Sequence, residues 1–279
     1  MNQHGDYPRS GYGGLGYFSP TPQPPRRGRG KILVLCALGL VVVLAAVLIP
    51  LLLLNSGDSR EQAAPSSAPS SASQLPAPPS VQTDGLTAKD VSVPAVTKDK
   101  GWQGVKNLRE KTAYDVPPGW KIEKPGLLTG YQSEDGKHIV SGHAVSTYKS
   151  GYCLDDAQVS RGFVAWKTVS RSVDKDMAVR NLATNLATLA ASDKDTLPHV
   201  PAPQVTATSV YGGKPARMAK ATAVPISQQC GAPKRTAIAV GFTASIGNVV
   251  VLICYDEGVP DAPAQGDIDK IIASLRDAP

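Results

Sequence analysis

The sequence has little of several residue types on which common site chemistries depend. Its 279 residues include four cysteines, four histidines, three tryptophans and three phenylalanines. It has no Cys-x-x-Cys or His-x-x-x-His spacing, which argues against the usual zinc sites. It also has no Gly-x-Ser-x-Gly elbow of the kind that presents a hydrolase nucleophile. The sequence therefore predicts no metal ligand and no catalytic residue.

Net positive charge is low outside one short segment. Of the formal net charge of +6, residues 1–31 carry +4, from five basic residues against one acidic residue, which leaves +2 for the rest. A basic stripe over a folded domain would indicate nucleic-acid binding. Because most of the excess lies at one end of the chain and the rest is nearly balanced, no nucleic-acid partner is predicted.

A long uncharged run predicts a transmembrane helix. Ile32 to Leu54 are 23 consecutive residues without a charge. A helix of that length spans about 35 Å, more than the roughly 30 Å hydrocarbon core of a bilayer. The basic cluster Arg26, Arg27, Arg29 and Lys31 precedes the run. Because basic flanks stay in the cytoplasm, we predict a single-pass cell-membrane protein with a cytoplasmic N-terminus and an extracellular C-terminal domain.

Two other interpretations of this run fit the sequence less well. A cleaved signal peptide has a shorter apolar stretch followed by a small-x-small cleavage site, and neither feature is present. Lipid attachment at Cys36 would require a small residue before it, where Leu35 stands, and most of the apolar run follows the cysteine. An uncleaved anchor is therefore the prediction.

The segments on either side of the predicted span are low in complexity. Residues 1–31 predict a disordered basic tail, and residues 55–101 predict a stalk rich in Pro, Ala and Ser. Such sequences bury too little apolar surface to offset the entropy of ordering the chain. Gly11, Gly13 and Gly16 match a dinucleotide-binding fingerprint, but no strand or helix flanks them, so no cofactor is predicted.

Residues 102–279 show the patterns of one folded domain. Apolar residues at helical spacing predict a helix over Asp174–Ala191, and a second helix is expected to begin with Asp267 as its cap. Alternating residues predict a strand over Lys137–Tyr148 and a hairpin over residues 235–256. These elements predict the α+β class, with an antiparallel sheet packed by a mid-domain helix and a C-terminal helix.

The region before these elements fits no single pattern. Trp102, Val105 and Leu108 have helix-like spacing, which favours a short arm packed on the domain. Near the other end of the chain, residues 249–255 are apolar on both faces, which is typical of a central strand.

Several motifs of this domain resemble those of known families. They are Tyr-Asp-Val-Pro-Pro-Gly-Trp at 114–120, Gly-Tyr-Cys at 151–153, Cys-Gly-Ala-Pro at 230–233 and Ile-Ile-Ala-Ser-Leu at 271–275. With them the domain resembles the uncharacterised extracytoplasmic domains of membrane-anchored actinobacterial proteins. At the level of fold it is similar to PsbP-like α/β/α domains, including envelope lipoproteins of the LpqN type. This resemblance implies an accessory or interaction module rather than an enzyme.

Three cysteines follow the predicted span, on the side where disulfides persist. Cys153 and Cys230 both lie in turns with Gly or Pro neighbours, so they are the candidates for one disulfide. Cys254 lies in the most apolar strand and is predicted to be a buried free thiol.

The other polar residues give little support for chemistry. His138 and His143 are five residues apart, so on a regular strand they face opposite sides and form no metal pair. His199 lies in a Pro-rich loop, and Asp155 and Asp156 are adjacent loop acids of the kind that is usually solvated. An active site assembled only in three dimensions would leave no motif in the sequence.

Three functions stay open for the outer domain. The leading one is non-enzymatic binding or interaction at the cell envelope, with an envelope protein or polymer as partner. The second is a sensor for a small ligand or lipid, which would need a cavity between sheet and helix. The third is a cryptic hydrolase, which would need a deep cleft with His143 or an acidic pair.

Overall fold

The computed structural model describes residues 83–153, 157–194, 196–227 and 231–278. Within these residues the two α-helices are α1, Lys175–Ala190, and α2, Gln265–Ala273. The strands are β1 Ser92–Val93, β2 Gln103–Asn107, β3 Thr112–Val116, β4 Trp120–Ile122, β5 Thr129–Gln132, β6 Ile139–Tyr148, β7 Gly162–Thr168, β8 Val205–Val210, β9 Lys214–Ala223, β10 Lys234–Ala244, β11 Gly247–Glu257 and β12 Arg276–Asp277.

The described strands form two antiparallel sheets. The large sheet has the order β4-β6-β7-β11-β10-β9-β8, with β5 paired to the first part of β6, and the small sheet has the order β1-β2-β3-β12. β10 and β11 form the predicted hairpin, and β11 lies centrally between β7 and β10. The predicted α+β class with an antiparallel sheet and two helices is confirmed.

Helix α1 covers one face of the large sheet. It is capped by Asp174, whose carboxylate accepts a hydrogen bond from the Met177 amide at 2.9 Å. The helix lies close to the sheet because small residues stand beneath it. A Cβ at Gly241, for example, would be 2.9 Å from Val179 Cγ1. Several alanines of β9 and β10 join the same hydrophobic cluster, namely Ala219, Ala221, Ala223, Ala237 and Ala239.

The small sheet and α2 cover the opposite face. Trp166, at the centre of this second hydrophobic cluster, packs its ring against Tyr114 of β3 and Phe242 of β10, with centroids 6.3 and 6.0 Å away. Ile268 and Ile271 of α2 belong to the same cluster and are fully buried. The domain is thus built of three layers, with the large sheet in the middle.

A β-bulge divides β6 into two parts. The register with β7 shifts between His143 and Ser146, and Ala144 has a φ of 49°. The part of β6 before the bulge, residues 139–142, also pairs with β5, whereas the part after it, residues 146–148, also pairs with β4. The β5–β6 hairpin therefore packs beside α1, where Tyr131 and Val140 join the α1 cluster.

Two sequence predictions of local structure were wrong. Where a helical arm was expected, residues 103–107 form strand β2, which contains Val105 but neither Trp102 nor Leu108, because pairing with β3 overrides the helix-like spacing. Asp267 lies in the first turn of α2, whose N-cap is Ala264. Strand β7 was not foreseen, since residues 162–166 are buried throughout and show no alternation.

Several other predictions concern residues outside the described part of the chain. These are the tail, the span at 32–54 and most of the stalk, together with Asp155, Asp156 and Cys230. No helix among the described residues is long and apolar enough to cross a membrane. The last stretch of the predicted stalk is folded onto the domain, since the amides of Val96 and Thr97 donate to Asp115 Oδ2, both at 2.8 Å.

Candidate functional site

A groove lies between the C-terminal half of α1 and the β5–β6 hairpin. We call it the α1 groove, and its volume is about 300 Å³. A second hollow of about 350 Å³ shares three of its lining residues and extends it toward the hairpin loop. The α1 groove is lined by residues 137–140 of the hairpin, by Asn185, Thr188 and Leu189 of α1, and by Leu197 of the loop that follows α1.

The lining of the α1 groove includes aliphatic side chains that face water. Ile139 is 51% exposed and Leu197 is 43% exposed, whereas Val140 and Leu189 beside them are buried. Asn185, on the exposed side of α1, adds amide groups that can donate and accept hydrogen bonds. Of the eight lining residues, four are apolar and four are polar or charged, so the groove offers both apolar contact and hydrogen bonds.

The hairpin wall of the groove is held by side-chain hydrogen bonds. Asp135 Oδ1 accepts from Ser133 Oγ at 2.7 Å and from the Lys137 amide at 3.0 Å, and Ser133 Oγ accepts from the His138 amide at 3.0 Å. The hydrogen bond from Lys137 Nζ lowers the pKa of Asp135 most, followed by that from Ser133. The loop is therefore pre-organised, with Lys137 and His138 at its rim.

A buried carboxylate links the small sheet to the large one. Glu110, in the β2–β3 turn, accepts hydrogen bonds from Asn107 Nδ2 and His143 Nε2, both at 2.6 Å, and from Thr168 Oγ1. Its side chain is 1% exposed. Burial by itself raises the pKa of Glu110, but the hydrogen bonds from His143, Thr168 and Asn107 outweigh burial and lower the pKa below its ordinary value.

A carboxylate bonded to a histidine, as Glu110 is to His143, is also found where an acidic residue orients a histidine base. The contact uses Nε2, and the His143 side chain is 15% exposed. No described serine, threonine or cysteine side chain hydrogen-bonds to this ring, whereas a nucleophile would have to do so. In the described structure, the hydrogen bonds of Glu110 link the β2–β3 turn to β6 and β7.

A second buried carboxylate, that of Asp256, lies at the end of β11 opposite to the end near Glu110 and Thr168. Asp256 Oδ2 accepts from Arg161 Nη1 at 3.0 Å and from the Tyr152 hydroxyl at 3.1 Å, and Oδ1 forms an ion pair with Arg235 Nε at 3.2 Å. Arg235 Nη1 also donates to Ala190 O at 2.6 Å, at the C-terminus of α1. This cluster therefore holds the α1 C-terminus, beside the groove, against β10 and β11.

The comparisons with known proteins assign the chain to a family. Residues 94–279 match a family described as a domain of unknown function, DUF8017. The chain belongs to this family. No curated protein matches the chain.

Two solved structures are similar to the DUF8017 domain. One is cyanobacterial PsbP (CyanoP) from Synechocystis sp. PCC 6803, at 10% identity and a TM-score of 0.35, covering 67% of this chain and 98% of that chain. The other is the Ran-binding protein Mog1p from Saccharomyces cerevisiae, at 13% identity and a TM-score of 0.35, covering 64% of this chain and 96% of that chain. One of these two distant neighbours is therefore a PsbP protein.

The cysteines of the DUF8017 domain lie in different environments. Cys254 is a free, buried cysteine, and burial raises the pKa of its thiol to about 12. Cys153 is buried next to Tyr152 of the Asp256 cluster. Because Cys230 lies outside the described residues, the Cys153–Cys230 disulfide stays a prediction.

The structure also separates the roles of the histidines. His138 precedes β6 and is exposed at the rim of the α1 groove, His143 contacts Glu110, and His199 is exposed in its loop. In the described residues, no group of three or more His, Cys, Asp or Glu side chains could hold a metal ion. Sequence reasoning missed Glu110, Asn185 and Leu197, which belong to no motif.

Proposed function

We propose that the DUF8017 domain is a non-enzymatic binding module of the cell envelope and that the α1 groove is its binding surface. In this proposal residues 32–54 anchor the chain in the membrane and the stalk carries the domain outside. The observation on which the proposal depends is the exposure of Ile139 and Leu197 on the walls of a preformed groove. Neighbouring exposed aliphatic side chains on the walls of a concave surface favour a site that another molecule covers.

The composition of the α1 groove favours a partner with both apolar and hydrogen-bonding groups. Fully burying an aliphatic side chain contributes about 1.5–3 kcal/mol. Because Ile139 and Leu197 are about half exposed, a partner that covers them would gain about 1 kcal/mol from each. Asn185 and Thr188 lie beside them and can bind a backbone or a sugar hydroxyl. An envelope protein or polymer satisfies these requirements, and the motifs at 114–120 and 151–153 support an actinobacterial envelope as the setting.

A small ligand or lipid is the second candidate, and the position of the groove favours it. The groove lies between α1 and a strand of the large sheet, where a sensor of this kind would bind its ligand. Its volume of about 300 Å³ equals the lower limit of ordinary ligand sites, so a short amphiphile would fit. His138 at the rim could donate a hydrogen bond to a polar head group.

Substitutions in the groove test the proposal in the full-length chain. Ile139→Asp and Leu197→Asp place a charge where apolar contact is expected, and Met177→Asp, at the far end of α1 and 48% exposed, is the control. After chemical cross-linking on intact cells, we expect both groove variants to lose the cross-linked partner about tenfold, the equivalent of 1.4 kcal/mol, while the control retains it.

The outcomes of this experiment separate the candidates. A protein or polymer adduct lost only in the groove variants supports the interaction module. If the groove variants instead lose a small molecule that is released on denaturation, the sensor is favoured. Equal partner retention by all three variants would show that the α1 groove is not the binding surface.

A further inference from the structure

The large sheet ends at β8, and the outer edge of β8 is open in the described structure. β8 pairs only with β9, and Thr206, Ala207 and Ser209 are exposed. Because alternate residues of an antiparallel strand direct their backbone groups to opposite sides, this edge presents a row of unpaired N–H and C=O groups.

The sequence of β8 has none of the features that normally protect an edge strand. Val-Thr-Ala-Thr-Ser-Val at 205–210 contains no charge, proline or glycine, and four of its six residues are β-branched. Its register with β9 is regular along the whole strand, without a bulge. Natural edge strands are usually blocked by a lysine, a proline or a bulge.

The charges nearest to this edge are neutralised. Arg217, opposite Ala207 on β9, makes two hydrogen bonds to Asp176, at 2.5 and 2.6 Å. Lys214, opposite Val210, is paired with Asp277 at 2.5 Å. An identical edge can therefore approach without repulsion between like charges.

We propose that β8 pairs with β8 of a second copy of this chain, which joins two large sheets into one antiparallel sheet. A two-fold axis at Ala207 places this residue opposite Ala207 of the second copy and places Thr206 opposite Thr208 of that copy. Threonine pairs across strands are favourable. In this register β8 can therefore pair with an identical β8, since neither strand carries a charge and the threonines lie opposite each other.

The helices leave room for this pairing. α1 packs over β9 and β10, which puts its axis roughly two strand spacings, or about 10 Å, from the two-fold axis. The two α1 helices would then lie about 19 Å apart, well beyond a helix diameter of about 10 Å. The end of α2 approaches β8 near Tyr211, whose amide donates to Leu275 O at 3.1 Å, so the axis places the two α2 ends at opposite ends of the joined strands.

The pairing is weak in dilute solution and effective on a membrane. A six-residue edge buries far less than the roughly 1,000 Å² of a stable interface. Copies confined to one membrane by the predicted anchor encounter each other at a high effective concentration, which offsets the small area. The occupant of the edge is therefore a second copy on the same membrane.

Cysteine cross-linking in the full-length chain tests this register. In bilayer vesicles and a Cys36→Ser background, Ala207→Cys places two thiols across the axis within disulfide range. Thr206→Cys is the matched control, because its Cα atoms would be roughly 8 Å apart in the paired strands, too far for a disulfide. Asn181→Cys, exposed on α1, measures random collision. We expect about tenfold more covalent dimer from Ala207→Cys than from either control.

A second measurement does not rely on an added thiol. Energy transfer between full-length copies labelled at the C-terminus should fall severalfold with Ala207→Lys and stay unchanged with Asn181→Lys. Equal dimer yields from all three cysteine variants would overturn the proposal, as would energy transfer insensitive to Ala207→Lys. A disulfide from Ala207→Cys to a different protein would also overturn it and would identify a foreign strand as the occupant.

Discussion

Glu110 holds a negative charge where almost no solvent reaches it, and three side chains from two sheets make this possible. Glu110→Gln keeps the shape of the side chain but replaces one carboxylate oxygen with an NH2 group. Its N–H donors would then face the donors of the neighbouring side chains instead of accepting from them. We expect the free energy of unfolding to fall by about 2–4 kcal/mol in urea titrations. Glu134→Gln, exposed in the nearby hairpin loop, is the control and should change it by less than about 0.5 kcal/mol.

The pH dependence of this difference follows from the lowered pKa of Glu110. A carboxyl group whose pKa is lower in the folded state stabilises the fold above its ordinary value of 4.5 and loses that contribution as the pH falls through the folded pKa. The stability gap between the wild type and Glu110→Gln should therefore be constant near neutral pH and close in acid. A gap that widened in acid would contradict the assigned hydrogen bonds.

Cys254 is a second residue whose environment determines its chemistry. Burial raises the pKa of its thiol to about 12, so almost no thiolate exists at neutral pH and no reagent has access to it. We expect iodoacetamide to leave Cys254 unmodified in the native protein and to alkylate it in urea, as read by peptide mass spectrometry. Rapid alkylation without denaturant would mean that β11 opens readily.

At the scale of elements, α1 depends on one buried face. Leu186 is fully buried, whereas Leu182 on the same helix is only partly buried. Leu186→Ala should lower the free energy of unfolding by about 2–5 kcal/mol, and Leu182→Ala should cost less, because its site is partly hydrated and collapses more easily. Equal losses in thermal or urea unfolding would contradict the packing of α1 on β9 and β10.

The junction of β6 and β7 requires a glycine. A Cβ on Gly142 would lie 2.6 Å from Trp166 O and 2.7 Å from Ala165 Cβ, both parts of the neighbouring strand. Gly142→Ala should destabilise the fold by about 1–3 kcal/mol, since β6 and β7 must separate. Gly266→Ala, in the first turn of α2 with open space around its Cβ, should be neutral or stabilising. The same loss for both variants would contradict this close approach.

Elements with a strong period could be predicted from the sequence, and elements defined by distant partners could not. The α1 helix and the β10–β11 hairpin have clear helical and strand patterns. β2 was misread because three apolar residues do not decide between helix and strand until β3 is beside them. β7 was not predicted because a strand that is buried on both faces shows no alternation of polar and apolar residues.

At the scale of the whole molecule, each polar site is assembled from segments far apart in the chain. Glu110 meets His143 and Thr168, and the α1 groove joins residues near 138, 188 and 197. The bulge at Ala144 lies between the part of β6 that lines the α1 groove and the part that pairs with β4. Spacing in the sequence contains no signal for either site, because strand pairing and the packing of α1 bring these side chains together.

Photo-cross-linking from the α1 groove tests the central claim most directly. A photoreactive amino acid at Leu197 of the full-length chain, activated on intact cells, should yield one dominant adduct, and Ile139→Asp should abolish it. The same probe at Met177, at the other end of α1, should yield little of that adduct. If the adducts at Leu197 and Met177 match in identity and amount, or if Ile139→Asp has no effect, the α1 groove is not the surface through which this domain binds.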